Sequence, residues 1–319
     1  MRSDRKGVKL SRHNLQYLGL FALVFLPSMF GYMAWEAQET DVTVLSVEGG
    51  PEGVIFISDP HLKESNIGHV QRTIEEINRL DPSLVLIGGD FVNGDESDFS
   101  LQAVWSAVDA PVYAVLGNHD YRAGTDAGGG FAKTIALAGL ELTAEEYDVS
   151  ALRGDESDLR FADELRATLE ANGVNVLQNE YKILRVGEKD LVLVGVDDVW
   201  AGMAEPPEVP ETDAFTLYLI HVPDGRANWD ADLILSGHTH GGQFMFPVVQ
   251  QFSDFGFMEV RGLIQKDGTP ATYITRGICG SSLGGIDLRF NSRPEIVLIN
   301  PTDEQLRLLD AKTGTVTVG

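Results

Sequence analysis

Aspartate, asparagine and histidine residues recur in five short motifs, and these side chains can bind metal ions. The motifs are Asp59-x-His61, Gly-Asp90, Gly-Asn118-His119-Asp120, His221 and Gly-His238-x-His240. Carboxylate, amide and imidazole ligands together suit Mn, Fe, Zn or similar divalent ions. Each motif is weak by itself, because an aspartate or histidine at the end of a strand is more often structural. Together they supply enough ligands for two metal ions.

Two motifs contain residues with a further chemical role. Asp90 has two carboxylate oxygens, so this one side chain is able to bridge two cations. We expect Asp120 to orient the neighbouring His119 and to hold it protonated, ready to donate to a leaving-group oxygen or to stabilise charge in the transition state. Two ions about 4 Å apart activate water and clamp the attacking and leaving oxygens. The residues therefore predict hydrolysis at a two-metal centre.

Each motif follows a short apolar run that predicts a buried strand. These runs are part of a set comprising Val54–Ile57, Leu84–Ile87, Val112–Leu116, Leu191–Gly195, Phe215–Ile220 and Leu233–Leu235. Helical periodicity appears at Val70–Leu80 and Asp163–Ala171. Strand ends that carry polar residues are where α/β folds build their sites. Strands dominate after Tyr181, which predicts a second sheet packed on the first.

The strong negative charge of the chain excludes one class of partner. Its 319 residues include 48 acidic and 24 basic ones, which gives a formal net charge of −24. The first fourteen residues carry +4, so the remainder carries −28. A protein of this charge repels polyanions. We therefore expect no nucleic acid as substrate or partner.

Cys279 is the only cysteine of the chain, so no intrachain disulfide can form. A thiolate metal site is excluded as well, because such sites need several cysteines. We expect Cys279 to pack in the interior rather than to act as a reactive thiol.

An uncharged apolar segment follows a basic N-terminus. Residues 1–14 are basic, and residues 15–35 contain the run LGLFALVFLPSMFGYMAW. Its length suits the about 20 apolar residues that cross a bilayer. The positive-inside rule then places the N-terminus in the cytoplasm and the catalytic part outside. A cleaved signal peptide is one alternative. A broken helix that dips into one leaflet is another, because Pro27 and Gly31 lie in mid-run.

The remaining sequence divides into a linker and one catalytic domain. Residues 36–52 are predicted to be a linker that includes a possible first strand, and residues 53–319 the domain. Within the domain, residues about 122–160 form an insertion rich in acids and glycine. It contains the helix candidate FAKTIALAGL, and we interpret it as an inserted cap or a mobile surface loop.

The ordered series D-x-H, G-D, G-N-H-D, H and G-H-x-H, from Val54 to Gly242, resembles the signature of calcineurin-like metallophosphoesterases. The strings AVLGNHDY, SGHTHGGQ and TRGICGSSLGGIDLRFNSRPEI look like the bacterial membrane-anchored branch of that family. The resemblance implies an α/β fold of four αββα layers, in which two mixed β-sheets pack face to face with flanking helices. It also implies a single-pass anchor in the bacterial inner membrane.

The resemblance further implies a role for each residue of the motifs. One ion is expected to bind Asp59, His61, Asp90 and His240. The other is expected to bind Asp90, Asn118, His221 and His238. In such a site a hydroxide that bridges the two ions attacks phosphorus, and His119, supported by Asp120, assists the leaving group.

Some members of this branch resemble enzymes that cleave the pyrophosphate of UDP-2,3-diacylglucosamine in lipid A synthesis. A lipid-linked substrate fits the apolar anchor and five phenylalanines that could line an acyl groove, namely Phe244, Phe246, Phe252, Phe255 and Phe257. Packing against the second sheet is the alternative role for these rings. An outward-facing domain argues against this substrate, which is made in the cytoplasm. The alternative functions are a general extracytoplasmic phosphodiesterase or phosphatase and a non-catalytic, metal-bound interaction module.

Overall fold

Short apolar runs form the strands of two mixed sheets in the computed structural model, which describes residues 12–96, 98–256, 258–266, 268–280, 282–309 and 314–318. The strands in these ranges, numbered along the chain, are β1 (Asp41–Val47), β2 (Val54–Ile57), β3 (Leu84–Ile87), β4 (Val112–Ala114), β5 (Val174–Val176), β6 (Glu180–Val186), β7 (Lys189–Gly195), β8 (Phe215–Ile220), β9 (Leu233–Ser236), β10 (Gly262–Ile264), β11 (Thr272–Ile274), β12 (Ser282–Leu283), β13 (Ile286–Asp287), β14 (Glu295–Ile299) and β15 (Gly314–Val318). All six predicted strands are present, some with ends shifted by one or two residues.

The first sheet has seven strands in the order β15-β1-β14-β2-β3-β4-β5. Strands β2 to β5 are parallel neighbours, and β14 runs antiparallel to β2. Parallel neighbours end at the same edge of a sheet, so the loops that carry Asp59, Asp90 and Asn118 meet there. Strand β1 pairs with both β14 and β15, so the segment predicted as a linker contributes a strand to this sheet.

The second sheet has six strands in the order β10-β11-β9-β8-β7-β6. Strands β11, β9, β8 and β7 are parallel, and β10 and β6 pair antiparallel at the two edges. His221 directly follows β8, and His238 lies two residues after β9. The prediction of two mixed sheets is confirmed.

Alternate residues of the central strands face two different cores. Phe56 packs in a cluster with Leu217 and Leu235 of the second sheet, whereas its neighbour Ile55 packs in the cluster that contains the helices. This alternation is the two-residue period of a β-strand. The two sheets therefore lie face to face, and each carries a further layer on its outer side.

Six helices are described, namely α1 (Arg12–Glu36), α2 (Ile67–Arg79), α3 (Ala127–Ala138), α4 (Leu159–Ala171), α5 (Pro247–Asp254) and α6 (Asp303–Leu308). Short 3-10 turns lie at Ser100–Ala107, His119–Tyr121, Ser150–Leu152, Pro223–Gly225 and His240–Gly242. Helix α2 buries Val70, Ile74 and Ile77, whose spacing places them on one face. Helices α2 and α4 correspond to the two predicted helices and cover the first sheet.

The insertion near residues 122–160 is folded against the second sheet. Asp126 caps the N-terminus of helix α3, because its side chain accepts hydrogen bonds from two backbone N–H groups of the first turn. Tyr147 donates to the carbonyl oxygen of Gly225 at 2.6 Å, and its ring lies 5.7 Å from that of Trp229. Trp229 stacks in turn on Tyr218 of β8, at 4.7 Å. The insertion is therefore a cap over the outer face of this sheet.

Helix α1 covers the segment that was predicted to cross a membrane. Its apolar side chains between Leu20 and Leu26 are exposed wherever they are described. Pro27 and Gly31 lie in its middle, and Glu36 ends it. Within the described residues no helix is both long and apolar enough to span a bilayer, so the predicted transmembrane helix is not confirmed. The predicted basic N-terminus lies outside the described residues up to residue 11.

Replacing a large side chain in the core between the sheets is expected to destabilise the protein. Phe56 is fully buried there, so Phe56→Ala is expected to lower the free energy of unfolding by about 3–5 kcal/mol. Urea denaturation measures this change. The matched control is Ile183→Ala on β6, where the side chain is 66% exposed and the expected change is about 0.5 kcal/mol or less. Equal losses for both variants would contradict the assignment of the core.

Candidate metal centre

All seven predicted metal ligands lie together where the loops of the two sheets meet. Three sets of ligand atoms each lie within 4.8 Å of one another: Asp59, His61 and His240; His61, Asp90 and His119; and Asp90, His221 and His238. Asn118 completes the cluster, because its Oδ1 lies 3.0 Å from His238 Nδ1 and 3.3 Å from His221 Nε2. Its amide group donates to the carbonyl of Ala123, which leaves Oδ1 facing the histidines.

Asp90 occupies the middle of this cluster. Its Oδ2 lies 3.5 Å from His61 Nε2 and 3.2 Å from His221 Nε2. Its Oδ1 accepts a hydrogen bond from the backbone N–H of His119 at 2.9 Å. The side chain is buried. The distances show that a single oxygen, Oδ2, faces both His61 and His221.

Backbone carbonyls fix the orientation of three imidazole rings. His61 Nδ1 donates to Val92 at 3.0 Å and His221 Nδ1 donates to Gly88 at 2.7 Å. His240 Nδ1 donates to Cys279 at 3.0 Å. A ring held at Nδ1 presents a lone pair at Nε2, which is the usual arrangement of a metal-binding histidine.

Five of the clustered residues have left-handed backbone geometry, with φ of 57° at Asp59, 37° at His61, 57° at Asp90, 70° at His238 and 51° at His240. This geometry is uncommon outside glycine, although aspartate and histidine adopt it more readily than most residues. Each such residue costs about 1–3 kcal/mol and persists only where its surroundings impose it. The concentration of such geometry here marks a functional site.

Glycines beside the ligands allow the loops to approach closely. A Cβ atom at Gly117 would lie 2.3 Å from Asp90 Oδ1. One at Gly237 would lie 2.0 Å from Ser58 Oγ and 2.7 Å from Asp59 Oδ2. Both distances are far below van der Waals contact, so only glycine fits at these two positions.

The charges of the cluster suit a divalent cation. Burial lowers the pKa of His61 and of His238 well below the usual value, so both rings are neutral and their lone pairs are free to bind an ion. Burial also opposes protonation of His221, but the Asp90 carboxylate outweighs it and raises the pKa of His221 to about 10. His61 Nε2 is buried and has no hydrogen-bond partner in the described part of the chain. A metal ion would satisfy this atom and replace the proton on His221.

Comparison with known proteins identifies the family. A sequence profile described as Calcineurin-like phosphoesterase matches residues 53–242, more than half of the chain. The chain belongs to the calcineurin-like phosphoesterase family. It is 30% identical over 295 residues to Phosphodiesterase YaeI of Escherichia coli (strain K12), covering 87% of this chain and 94% of that protein. It is 24% identical over 263 residues to Uncharacterized metallophosphoesterase YkuE of Bacillus subtilis (strain 168), covering 77% of each.

Membership of the calcineurin-like phosphoesterase family establishes the class of reaction. The protein is a metal-dependent phosphoester hydrolase. The family uses divalent metals, and the clustered carboxylates and imidazoles fit that requirement.

One expected contact within the G-N-H-D motif of this phosphoesterase is absent. Asp120 does not orient His119. Its buried carboxylate instead accepts hydrogen bonds from the backbone N–H groups of Gly117 at 2.9 Å and Val92 at 3.2 Å. His119 Nδ1 donates to the carbonyl oxygen of Asn93 at 2.7 Å. Adjacent residues on a tight turn point in different directions, so Asp120 shapes the loops while Asn93 orients the ring.

Sequence reasoning missed a further group beside the metal centre, which follows β7. The ring of Trp200 lies edge-on to His238 at 4.3 Å, and its Nε1 is buried without a hydrogen-bond partner in the described residues. Asp198 is also fully buried, and burial raises its pKa to about 7. A signal was available, because β7 is another predicted strand that is followed within three residues by two acidic ones, in the string VGVDDVW.

Of the five phenylalanines after the last ligand, the three on or beside helix α5 are exposed, whereas Phe244 is half-buried. Helix α5 has no buried residue, and both Phe252 and Phe255 are exposed. Phe246 is partly exposed and stacks on Phe290 at 4.8 Å. Phe257 lies outside the described residues. Cys279 is buried as expected, and burial raises the pKa of its thiol.

The buried acids after β7 predict how stability depends on pH in the metal-free protein. Burial raises the pKa of Asp198 to about 7, above the ordinary value of about 4 in the unfolded chain. Between these values the folded state binds more protons, so stability falls as the pH rises. The amide side chain of the Asp198→Asn variant cannot lose a proton. Between about pH 5 and about pH 8 the free energy of unfolding of this variant is therefore expected to fall by about 2–3 kcal/mol less than that of wild type.

Urea denaturation in the presence of a chelator at the two pH values measures the difference. Asp230→Asn, a substitution of an exposed aspartate, is the matched control and should follow wild type. An Asp198→Asn variant that loses as much stability as wild type would show that this carboxyl is already ionised at low pH.

Proposed function

We propose that this protein is a two-metal phosphodiesterase. One ion would bind Asp59, His61, Asp90 and His240, and the other Asp90, Asn118, His221 and His238. The observation that carries this proposal is the position of Asp90 Oδ2, within 3.5 Å of His61 Nε2 and 3.2 Å of His221 Nε2. A carboxylate placed between two sets of ligands is suited to bridge two ions. The name of the E. coli relative, Phosphodiesterase YaeI, supports a diester as the substrate.

His119 is the proposed acid of the reaction. Its Nδ1–H is held by the Asn93 carbonyl, so Nε2 is the nitrogen that is free to carry a proton to the leaving oxygen. The ring packs edge-on against His61 at 4.7 Å, and its ligand atom lies within 4.8 Å of those of His61 and Asp90, so His119 is next to the centre although neither proposed ligand set includes it. When bound, two divalent ions supply an activated water and neutralise charge on the phosphoryl oxygens.

Replacement of His119 separates catalysis from metal binding. His119→Asn removes the proton donor but none of the proposed ligands, so the turnover of a chromogenic aryl phosphodiester is expected to fall about 10²- to 10⁴-fold. Metal content, measured by elemental analysis, should stay at the wild-type value. His13→Asn, at an exposed histidine on α1, is the matched control.

Two outcomes would contradict these roles. A His119→Asn variant that keeps wild-type turnover would show that another group protonates the leaving oxygen. Zero turnover by wild type across several metals, with the metals bound, would favour a non-catalytic interaction module instead.

We further propose that the substrate is lipid-linked and that the protein binds a membrane surface. Exposed apolar residues on α1 and on α5, among them Leu23 and Val248, support this proposal. The rings of Tyr32, Phe290 and Phe246 join the two helices, because Tyr32 lies 6.1 Å from Phe290, which stacks on Phe246. One apolar face thus extends from α1 to a loop that begins at a proposed metal ligand. A protein that binds a membrane through this face would meet a lipid-linked phosphodiester or pyrophosphate, such as UDP-2,3-diacylglucosamine, at its metal centre.

A vesicle experiment tests the apolar face. The protein with Mn²⁺ is expected to float with phospholipid vesicles and to cleave a lipid-linked pyrophosphate. The double variant Val248→Glu and Phe252→Glu should lose both properties, because a charge inserted into the interface is costly, while keeping its turnover of the soluble aryl phosphodiester. Ile183→Glu, at an exposed apolar residue on β6, is the matched control.

The opposite pattern would favour a general phosphodiesterase. Efficient cleavage of soluble nucleotides, with no cleavage of any lipid-linked pyrophosphate, would exclude the lipid proposal.

We also propose that the catalytic domain lies outside the cytoplasm. Two reporters fused to the C-terminus test this location. A reporter that is active only outside the cytoplasm should then give a signal, and a reporter that is active only inside the cytoplasm should give none.

A further inference from the structure

Arg289 is a fully buried arginine whose guanidinium contacts only backbone carbonyls among its described hydrogen bonds. It lies in the string IDLRFNSRPEI, which has no role in the chemistry proposed above. Its acceptors are the carbonyl oxygens of Arg276, Gly277, Cys279, His240 and Ser292. A charge taken out of water is stable only when it is fully hydrogen-bonded. The guanidinium therefore fixes the relative positions of three separate chain segments.

These carbonyls hold His240 at two points. The Cys279 carbonyl accepts from both Arg289 and His240 Nδ1, so it orients the imidazole ring. The carbonyl of His240 itself accepts from Arg289 at 3.3 Å and from the Ser292 hydroxyl at 2.9 Å. His240 has a left-handed φ of 51°, which needs such external support.

The backbone around Gly277 and Cys279 also supports Asp59. The backbone N–H of Cys279 donates to the Asp59 carbonyl at 3.1 Å. Gly277 packs so closely that a Cβ atom there would lie 2.9 Å from Asp59 Cβ. Asp59 and His240 are proposed ligands of one ion only, so this support acts on one side of the metal centre.

The last turn of α1 packs against the backbone of Arg289 and Ser292. The N–H of Arg289 donates to the carbonyl of Met33 at 3.1 Å. The N–H of Ser292 donates to the carboxylate of Glu36 at 2.9 Å, and both residues are buried. A continuous set of hydrogen bonds therefore runs from α1 through Ser292 to His240.

We propose that Arg289 and Ser292 are positioning residues for His240 and that docking of α1 through Glu36 holds them in place. The ion at Asp59, His61 and His240 is then bound tightly only while the last turn of α1 is docked. Neither His221 nor His238, which would bind the other ion, accepts a hydrogen bond from Arg289 or Ser292 in the described part of the chain. This inference rests on the proposed metal roles and adds a link between the N-terminal helix and one ion.

Metal binding to the full chain tests the inference without relying on activity. Ser292→Ala removes the hydroxyl group that donates to the His240 carbonyl but leaves Arg289 in place. Glu36→Met removes the oxygen that accepts from the Ser292 N–H and keeps a side chain of similar size. Titration with Mn²⁺ after chelation is expected to show two ions in wild type. In Ser292→Ala one ion should bind about 10- to 100-fold more weakly while the other is unchanged, and Glu36→Met should weaken the same ion.

A control separates positioning from general loss of stability. Thr216→Val removes a side-chain hydrogen bond to a carbonyl at the start of β8, away from the segment that supports His240. This variant should keep both wild-type affinities. The rise in melting temperature caused by Mn²⁺ should be smaller in Ser292→Ala than in wild type or Thr216→Val, because ligand-induced stabilisation follows affinity.

Three results would overturn the inference. If the Ser292→Ala variant bound both Mn²⁺ ions with wild-type affinity, a positioning role would be excluded. An equal loss of affinity for both ions would exclude it as well. A lower melting temperature with an unchanged Mn²⁺-induced rise would show a structural role only. Wild-type protein that binds no Mn²⁺ would instead remove the proposed metal centre itself, so the two failures are distinguishable.

Discussion

The Asp90 carboxylate joins side chains that belong to different sheets. His61 follows β2 of the first sheet, His221 follows β8 of the second, and Asp90 Oδ2 lies within 3.5 Å of one ring and 3.2 Å of the other. Burial alone would raise the pKa of Asp90, but His221 and His119 reverse this effect and hold it well below its usual value. A buried carboxylate needs such partners, so the centre exists only while the two sheets stay packed face to face.

That geometry is obtained through backbone conformations that most residues avoid. The left-handed φ of His238 and of His240 turns the rings of one short segment toward two different sets of ligands, and neighbouring glycines leave space for the opposing loops. The strain is balanced locally, by carbonyls such as that of Cys279 and by donors such as Ser292. The residues that make the site possible are therefore mostly not the ones that would touch an ion.

The sequence predicted the strands and the proximity of the ligands because both follow from local rules. Val54–Ile57 is a buried strand by its apolar run, and the parallel order of β2, β3 and β4 sets Asp59, Asp90 and Asn118 at one edge. The partner of His119 could not be predicted in the same way. Asp120 is adjacent in sequence but turned away, whereas Asn93 is brought near by a separate loop. The role of Arg289 depends on three segments distant in sequence, so no local pattern indicates it.

Electrostatics explains why such an acidic protein would need metal ions to bind a phosphoester. Outside its first fourteen residues the chain carries −28, and this charge repels an anionic substrate. The basic side chains around the centre are engaged elsewhere: Lys63 pairs with Asp287, and Arg276 pairs with Glu295. Arg289 is committed to carbonyls. Bound divalent ions would then be the main source of positive charge at the site, so their loss would remove substrate binding as well as the activated water. A contact that holds a ligand such as His240 thus acts on both properties at once.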